Sequence, residues 1–349
     1  MARLRTKSWP RSVIENPPLR LEPLVLEQLE ERPGGAGAQR VRAKIHDHVS
    51  LLSGVHDNLG GVSGQFEVRR LGRTFFAEVV GLDLARPLDD AAFARVKAAH
   101  LEEGVLVFRD QRLTPEQQIA FSRRFGPLQV HPMGQFNLDG APEILLVSSD
   151  RHPDGRPVGI ADAGRYWHTD MSYLKEPALG SLLYARAIPA EGGDTMFCDM
   201  TAACRDLAPD MRGKLMRLSA VHHFASRWAR EAEKSGLRPA QTKNEQDRNP
   251  PVEHPMIRTH PETGDPALYA GGFAVGVAGL PPEEAEGLLD WLESWSTQPA
   301  YVYRHRWCLH DLVFWDNRRV MHRATEYPEH MRRHMHRTTV KGNAPYFAA

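Results

Sequence analysis

Tyr166-Trp167-His168-Thr169-Asp170 is the stretch on which the rest of this chain turns. It follows a loop rich in Gly and Asp, Gly159 to Gly164, and runs into Met171-Ser172-Tyr173. On a strand, successive side chains point to opposite faces, so His168 and Asp170 project the same way. One imidazole beside one carboxylate can hold two corners of a metal's coordination sphere. A second histidine from elsewhere would complete a face of three ligands and leave the opposite positions open. The spacing alone is a weak signal. With 17 histidines in the chain, His-x-Asp arises by chance, and a surface or core histidine beside a strand-end Asp is the plain alternative.

Composition bounds what the chain can be. Its 349 residues suffice for one large domain or two ordinary ones. Lys+Arg and Asp+Glu are equal at 44 each, so no global field recruits nucleic acid or an anionic membrane. Mean hydropathy is −0.47 and no long apolar run occurs, which argues against a spanning helix. Met1 to Lys7 is basic but leads into Ser8-Trp9-Pro10 with no apolar stretch behind, so no secretory signal is expected. Three cysteines, Cys198, Cys204 and Cys308, form no C-x-x-C and suggest neither a disulfide framework nor a thiolate zinc site; they fit a reducing cytoplasm.

Residues 1–64 differ from the rest: a Pro17-Pro18 pair, a Gly/Ala patch from Pro33 to Ala38 and a polar end at Gly60 to Gly64. They predict a loosely ordered extension, with at most a short helix at Leu21 to Glu31. A domain over 65–349 follows. Phe66 to Val68 and Ala77 to Val79 alternate like strands. Asp89 or Asp90 can cap a helix over Ala91 to Glu102 that ends at Gly104, and Thr114-Pro115-Glu116-Gln117 opens a helix running to Phe125. Val105 to Arg109, Ile144 to Ser148, Leu182 to Ala185, Thr195 to Cys198, Met256 to Arg258, Leu268-Tyr269, Val302 to Arg306, Asp311 to Trp315 and Arg337 to Val340 predict further strands. Thr201 is expected to cap a helix into Ala203 to Arg205, Pro209 begins the next, and Pro281-Pro282 starts an amphipathic one through Leu292. Residues 225–255, polar and spotted with proline, predict a mobile excursion or lid. Many short strands with a few flanking helices argue for a mainly β, double-sheet core. No G-x-G-x-x-G or P-loop pattern anchors a nucleotide-binding fold.

Phe314 to Asp316 ends a strand, turns at Asp316-Asn317 and presents His322 as the missing ligand. Two histidines and one carboxylate with open positions are the facial triad of non-haem Fe(II) oxygenases. Beyond it, Arg333 and Arg337 are four apart and share one strand face, while Arg332 points away. Two guanidiniums beside a metal ligand form a fork for a carboxylate. The alternative is that they pair with surface acids such as Glu326 or Glu329.

The order His168-x-Asp170, Gly192-Gly193-Asp194-Thr195, Trp315-Asp316-Asn317-Arg318, His322, then Arg333 and Arg337 resembles the taurine/2,4-dichlorophenoxyacetate dioxygenase family, over about residues 66–342. Val302 to Trp307 and Gly193 to Met200 look closest to its phenoxyacetate-cleaving branch. The resemblance implies a double-stranded β-helix (jelly-roll) core, with Fe(II), 2-oxoglutarate as co-substrate and O2. It implies that His168, Asp170 and His322 bind iron, that Thr195 and Arg333 hold the distal carboxylate of 2-oxoglutarate, and that Arg337 sits between the co-substrate and an anionic group on the prime substrate. His131 matches a taurine-contacting position. Where taurine enzymes carry an aromatic residue and an Asn, this chain has Gly134 and Gly164, which argues for a roomier pocket and a bulkier acid. Trp167, Tyr173 and His222-His223 are candidates to wall that pocket, with core packing the alternative for Trp167 and Tyr173. The expected reaction is hydroxylation of a small anionic substrate, an aryloxyalkanoate-like acid ahead of taurine, an alkylsulfonate or an alkyl sulfate, with release of succinate and CO2. Self-association as a dimer or tetramer is expected; nucleic-acid and membrane partners are not.

Two other classes remain open on sequence. A zinc hydrolase could use the same three side chains, but Thr195, Arg333 and Arg337 would have no role in it. A non-catalytic binding protein on the same fold would ordinarily have lost a ligand, and all three are present.

Overall fold

Short apolar runs and well-marked helix ends account for the elements seen. The computed structural model describes residues 66–131, 134–161, 164–235, 243, 247 and 249–348. The expected N-terminal extension and its short helix lie outside the described residues. In chain order the elements are β1 (Glu67–Arg70), β2 (Ala77–Val80), α1 (Asp90–Glu103), β3 (Val105–Phe108), α2 (Pro115–Arg123), β4 (Asn137–Leu138), β5 (Ala141–Ser148), β6 (Ala178–Ala187), β7 (Thr195–Asp199), α3 (Met200–Arg205), α4 (Pro209–Leu215), β8 (Ser219–His222), α5 (Phe224–Ser235), β9 (Val252–Pro255), β10 (Ile257–Thr259), β11 (Pro266–Leu268), β12 (Ala274–Val277), α6 (Pro282–Ser296), β13 (Val302–His305), β14 (Leu312–Asp316), β15 (Val320–Ala324) and β16 (His334–Lys341).

The helix ends follow local chemistry. Asp89 Oδ1 accepts from Ala92 N at 2.7 Å to start α1, and Gly104, at φ 69°, ends it in the left-handed conformation that glycine adopts without strain. Thr114 and Gln117 form a reciprocal capping box on α2, with Pro115 in its first turn. At α3 the cap is Asp199, not Thr201: its Oδ1 accepts from Thr201 N at 3.1 Å and Ala202 N at 3.0 Å. A carboxylate at the end of β7 reaches both amides, and the Thr201 hydroxyl is left over. Of the expected excursion over 225–255, α5 and β9 occupy the two ends, and residues 236–242, 244–246 and 248 between them lie outside the described residues.

An eight-stranded sheet, ordered β1-β2-β3-β14-β6-β16-β5-β4, forms one layer; a three-stranded sheet β13-β7-β15 faces it. The protein is mainly β with flanking helices. Strand alternation divides the core. Val105, Val107, Leu183, Val313 and Met335 from the large sheet meet Phe197 and Val320 from the small one. Leu106, Phe108, Leu182 and Phe314 point the other way, against Ala92 and Val96 of α1 and Phe121 of α2. Met321 and Cys198, on the outer face of the small sheet, pack with Leu292 of α6 and residues of α3. The strand expected over Tyr166 to Asp170 is shorter than the alternation implied: only His168 pairs, in a single bridge to His322. The chain then turns, with Met171 at φ 58°.

Candidate active site

That single bridge brings the two histidines together. His168 N donates to His322 O at 3.0 Å and His322 N to His168 O at 2.8 Å, so the two rings lie side by side, 4.2 Å between centroids. The turn after Thr169 brings Asp170 back to them. His168 Nε2 is 3.7 Å from Asp170 Oδ1, and His322 Nε2 is 3.8 Å from Asp170 Oδ2. The three donor atoms lie within 4.8 Å of one another, and all three side chains are buried.

The surroundings fix the chemistry of this cluster. His168 Nδ1 is 2.8 Å from the carbonyl oxygen of Tyr166. A carbonyl only accepts, so Nδ1 carries the proton and Nε2 presents its lone pair to the cluster. Burial pushes the His168 imidazole down toward its neutral form, and burial followed by the neighbouring His168 does the same more strongly to His322. Burial would raise the Asp170 carboxyl, but Arg337 and the two imidazoles outweigh it and hold the group below the usual carboxylate range. Two neutral imidazoles and one carboxylate, with their donor atoms gathered within 4.8 Å, fit a divalent transition metal with open positions.

Two residues to which the sequence assigned no role, Ser181 and Asn317, hold the carboxylate. Ser181 Oγ donates to Asp170 Oδ2 at 2.7 Å, and Asn317 Nδ2 donates to Ser181 Oγ at 3.1 Å. Asn317 Oδ1 accepts from Asp170 N at 3.2 Å and from Trp315 Nε1 at 3.0 Å. Thus Asn317 ties the turn before β15 to Asp170. Ser181 carried no sequence signal, because it sits mid-strand among apolar residues.

The arginines take different roles. Arg333 is buried, its Nε donates to Gly193 O at 3.2 Å, and no carboxylate lies within ion-pair distance among the described residues. Burial pulls its pKa down to about 10, which leaves it charged at neutral pH. Gly192 and Gly193, at φ 70° and 67°, form the left-handed turn that exposes this carbonyl. Arg337 Nη1 lies 3.0 Å from Asp170 Oδ1, so its positive charge is already engaged by the cluster. Arg332 points outward and pairs with Asp150 at 2.8 Å. Neither Glu326 nor Glu329 pairs with this fork. Thr195 Oγ1 accepts from Trp307 Nε1 at 3.0 Å, which leaves its own hydroxyl hydrogen to donate. One small cavity is lined by His168, His322, Thr195, Arg333 and Arg337 with the apolar walls Val147, Leu183, Trp315 and Ala324. A buried cation, a hydroxyl and apolar flanks next to three metal donors suit a short dicarboxylate.

Comparison with known proteins agrees. Residues 67–339 match the family described as Taurine catabolism dioxygenase TauD, TfdA family. The chain belongs to the TauD/TfdA dioxygenase family. It is 36% identical over 285 residues to a (S)-phenoxypropionate/alpha-ketoglutarate-dioxygenase of Sphingobium herbicidovorans, covering 81% of this chain and 97% of that protein. It is 38% identical over 286 residues to an alpha-ketoglutarate-dependent 2,4-dichlorophenoxyacetate dioxygenase of Cupriavidus pinatubonensis, covering 77% and 96%. The crystal structure of AAD-2 in complex with Mn(II) and N-oxalylglycine superposes with a TM-score of 0.69 at 33% identity, over 80% of this chain and 99% of that one. The chain is accordingly an alpha-ketoglutarate-dependent dioxygenase, with Fe(II), 2-oxoglutarate and O2 as its cofactor set.

Within a TauD/TfdA enzyme, the remaining candidate residues fall on two sides. His131 is close enough to feel both Arg337 and Asp170; burial first, then Arg337, pushes its imidazole down to about 4. Tyr173 packs at 4.9 Å from Phe273, which stands edge-on to His168 at 6.2 Å, so it belongs to the aromatic wall of the cluster. Trp167 goes the other way, into the core with Met321 and Cys198. His222 bonds Ser172 Oγ at 3.0 Å and His223 bonds Ser226 Oγ at 2.7 Å. Gly134 has open space where a side chain would stand, but Gly164 does not: at φ 75°, an added Cβ would meet His168 Cε1 at 2.9 Å. Gly164 is therefore a backbone floor under the imidazole, not empty room. Arg227, on α5, stacks over Tyr166 at 3.7 Å, and its positive charge is felt at His168.

Proposed function

We propose that this dioxygenase hydroxylates a small anionic substrate of the aryloxyalkanoate class, releasing succinate and CO2. One observation carries the reading: the buried meeting of His168, Asp170 and His322 beside Arg333, a charged side chain with no carboxylate of its own. The aromatic wall of Tyr166, Tyr173, Phe224 and Phe273 supports an aryl substrate over a short sulfonate. Alkylsulfonates, taurine and alkyl sulfates form the second reading. The open space at Gly134 weighs against taurine. The double-stranded β-helix is the closure of the two facing sheets that we infer for the core.

In this scheme His168, Asp170 and His322 hold the iron, whose bound form couples oxidative decarboxylation of 2-oxoglutarate to oxygen insertion at a substrate C–H bond. The chain's own task is position. Thr195 and Arg333 grip the distal carboxylate of 2-oxoglutarate. Val147, Leu183 and Trp315 keep water from its flanks. Arg337 neutralises Asp170 and turns its remaining donors toward the anionic end of the prime substrate, with His131 beside it. Ser181 and Asn317 hold the carboxylate in its rotamer. The domain over 65–349 would act alone, with 1–64 as an extension, in a reducing cytoplasm where Cys198, Cys204 and Cys308 stay unpaired as they are here. Among the described residues no helix is long and apolar enough to cross a membrane.

Anaerobic addition of Fe(II) and 2-oxoglutarate should give a weak visible charge-transfer band that His168→Ala abolishes together with succinate production. Aryloxyalkanoates should lead a panel that also contains sulfonates and alkyl sulfates, scored by succinate release. A sulfonate or sulfate ester in first place would establish the second reading; an intact band in His168→Ala would remove the metal assignment.

A further inference from the structure

We propose a second anion site, distinct from the iron cluster: a cleft between α1, α3, α4 and the β10–β11 turn that binds a phosphate-class oxyanion. The cleft has a volume of about 500 Å³ and is lined by Thr201, Arg205, Arg212 and Arg319, with Glu102 and Asp265 also on its walls. Its donors far outnumber their partners. Arg319 is buried at 7% exposure, yet its Nε has no hydrogen-bond partner, and Asp199 is 3.9 Å from its Nη2, beyond hydrogen-bond reach. Its hydrogen bonds come from Nη1 alone, on the carbonyls of Leu101 at 2.9 Å and Glu102 at 3.3 Å, while Nη2 makes only that long ion pair with Asp199. Arg205 bonds Asp206 through Nε at 3.1 Å, which leaves its two terminal nitrogens. The side chain of Arg212 has no ion pair or hydrogen bond among the described residues. The Thr201 hydroxyl, displaced from its expected capping role by Asp199, is buried without a partner.

Two buried polar groups left unsatisfied in one cleft are unfavourable unless something else satisfies them. The two acids do not. Glu102 is drawn to Arg70 at 3.3 Å, and neither it nor Asp265 reaches ion-pair distance of the three arginines. Guanidinium groups from three elements and a hydroxyl lining one cleft match an oxyanion that accepts along several directions at once. The site also has a structural effect. Arg319 O accepts from Met200 N at 3.0 Å, so an anion bridging Arg319 to α3 and α4 braces the turn that leads into β15.

The test is calorimetric titration of inorganic phosphate into the full-length protein loaded with Mn(II) and N-oxalylglycine, so that Arg333 is covered. We expect one phosphate per chain with a rise in Tm. Arg212→Gln and Arg205→Gln should each weaken binding by roughly tenfold or more, as loss of a charge-assisted contact does, with an unchanged circular dichroism spectrum. Arg333→Gln, titrated without N-oxalylglycine because it lacks the guanidinium that would grip it, should bind phosphate like the loaded wild type, which separates this site from the co-substrate pocket and makes the outcome independent of the dioxygenase reading. Absence of heat and of a Tm shift at millimolar phosphate overturns the proposal. So does undiminished binding in Arg212→Gln, or loss of binding in Arg333→Gln alone.

Discussion

Ser181 Oγ donates to Asp170 Oδ2 at 2.7 Å, and this bond holds the carboxylate with one oxygen toward each imidazole, Oδ1 3.7 Å from His168 Nε2 and Oδ2 3.8 Å from His322 Nε2. Ser181→Ala should keep the fold, because the site is a packed strand position, but lower metal affinity by roughly 10- to 100-fold, the usual effect of removing a ligand's own support. Mn(II) titration followed by electron paramagnetic resonance measures it. Unchanged affinity would mean that Asn317 and Arg337 suffice to orient Asp170.

Arg333 gives a prediction with opposite signs in two states. Without co-substrate it is a buried charge lacking a carboxylate, so Arg333→Met should raise the Tm of the ligand-free protein. The same substitution should abolish the Tm rise that 2-oxoglutarate gives the wild type and raise the KM for 2-oxoglutarate by about 30-fold or more. A fall in the ligand-free Tm would show that the guanidinium is structurally satisfied.

Arg337 differs because its partner is Asp170 at 3.0 Å. Arg337→Met should reduce kcat/KM for an aryloxyalkanoate by roughly 10- to 100-fold, the range of a lost hydrogen bond to a charged group, with a much smaller change in Mn(II) affinity. Comparable losses in both would place Arg337 in metal binding instead of substrate positioning.

Gly164→Ala introduces a Cβ at 2.9 Å from His168 Cε1 on a backbone with φ 75°. Both strain and contact fall on His168, the metal ligand proposed above. The visible band formed with Fe(II) and 2-oxoglutarate should weaken or shift, while Gly134→Ala, which meets nothing within 4 Å, should leave it unchanged.

His100 predicts a pH effect. It is buried against Phe314, 3.7 Å between ring centroids, with neither ring nitrogen bonded, and burial pushes it down to about 3. A depressed folded-state value means that its contribution is present above the unfolded value near 6.5 and is lost as pH falls toward 3, because only the unfolded chain takes the proton. Relative to His100→Phe, the wild type should lose up to about 1.4 kcal/mol of stability per pH unit across that window. Urea unfolding at a series of pH values checks it; parallel curves would show that His100 is protonated in the fold.

Local signals carried much of this protein. The caps at Asp89 and Thr114, the apolar run at Val105 and the proline start of α6 depend on near neighbours, so they were legible from residue order. The His168-x-Asp170 pair, His322 and the Arg333/Arg337 fork could be named from spacing and family resemblance. Sequence misjudged what depends on competition between neighbours: Asp199 outreached Thr201 for the α3 cap, and the strand at Tyr166 shrank to one bridged pair. Only the tertiary structure decided which groups converge. It placed Ser181 and Asn317 behind Asp170, set Gly164 under His168, sent Trp167 into the core, and gave Arg337 a partner while leaving Arg333 without one. The physical reason is that a residue's type fixes what it can bond, whereas burial and distance, set by how the folded chain brings its segments together, decide whether that bond is made.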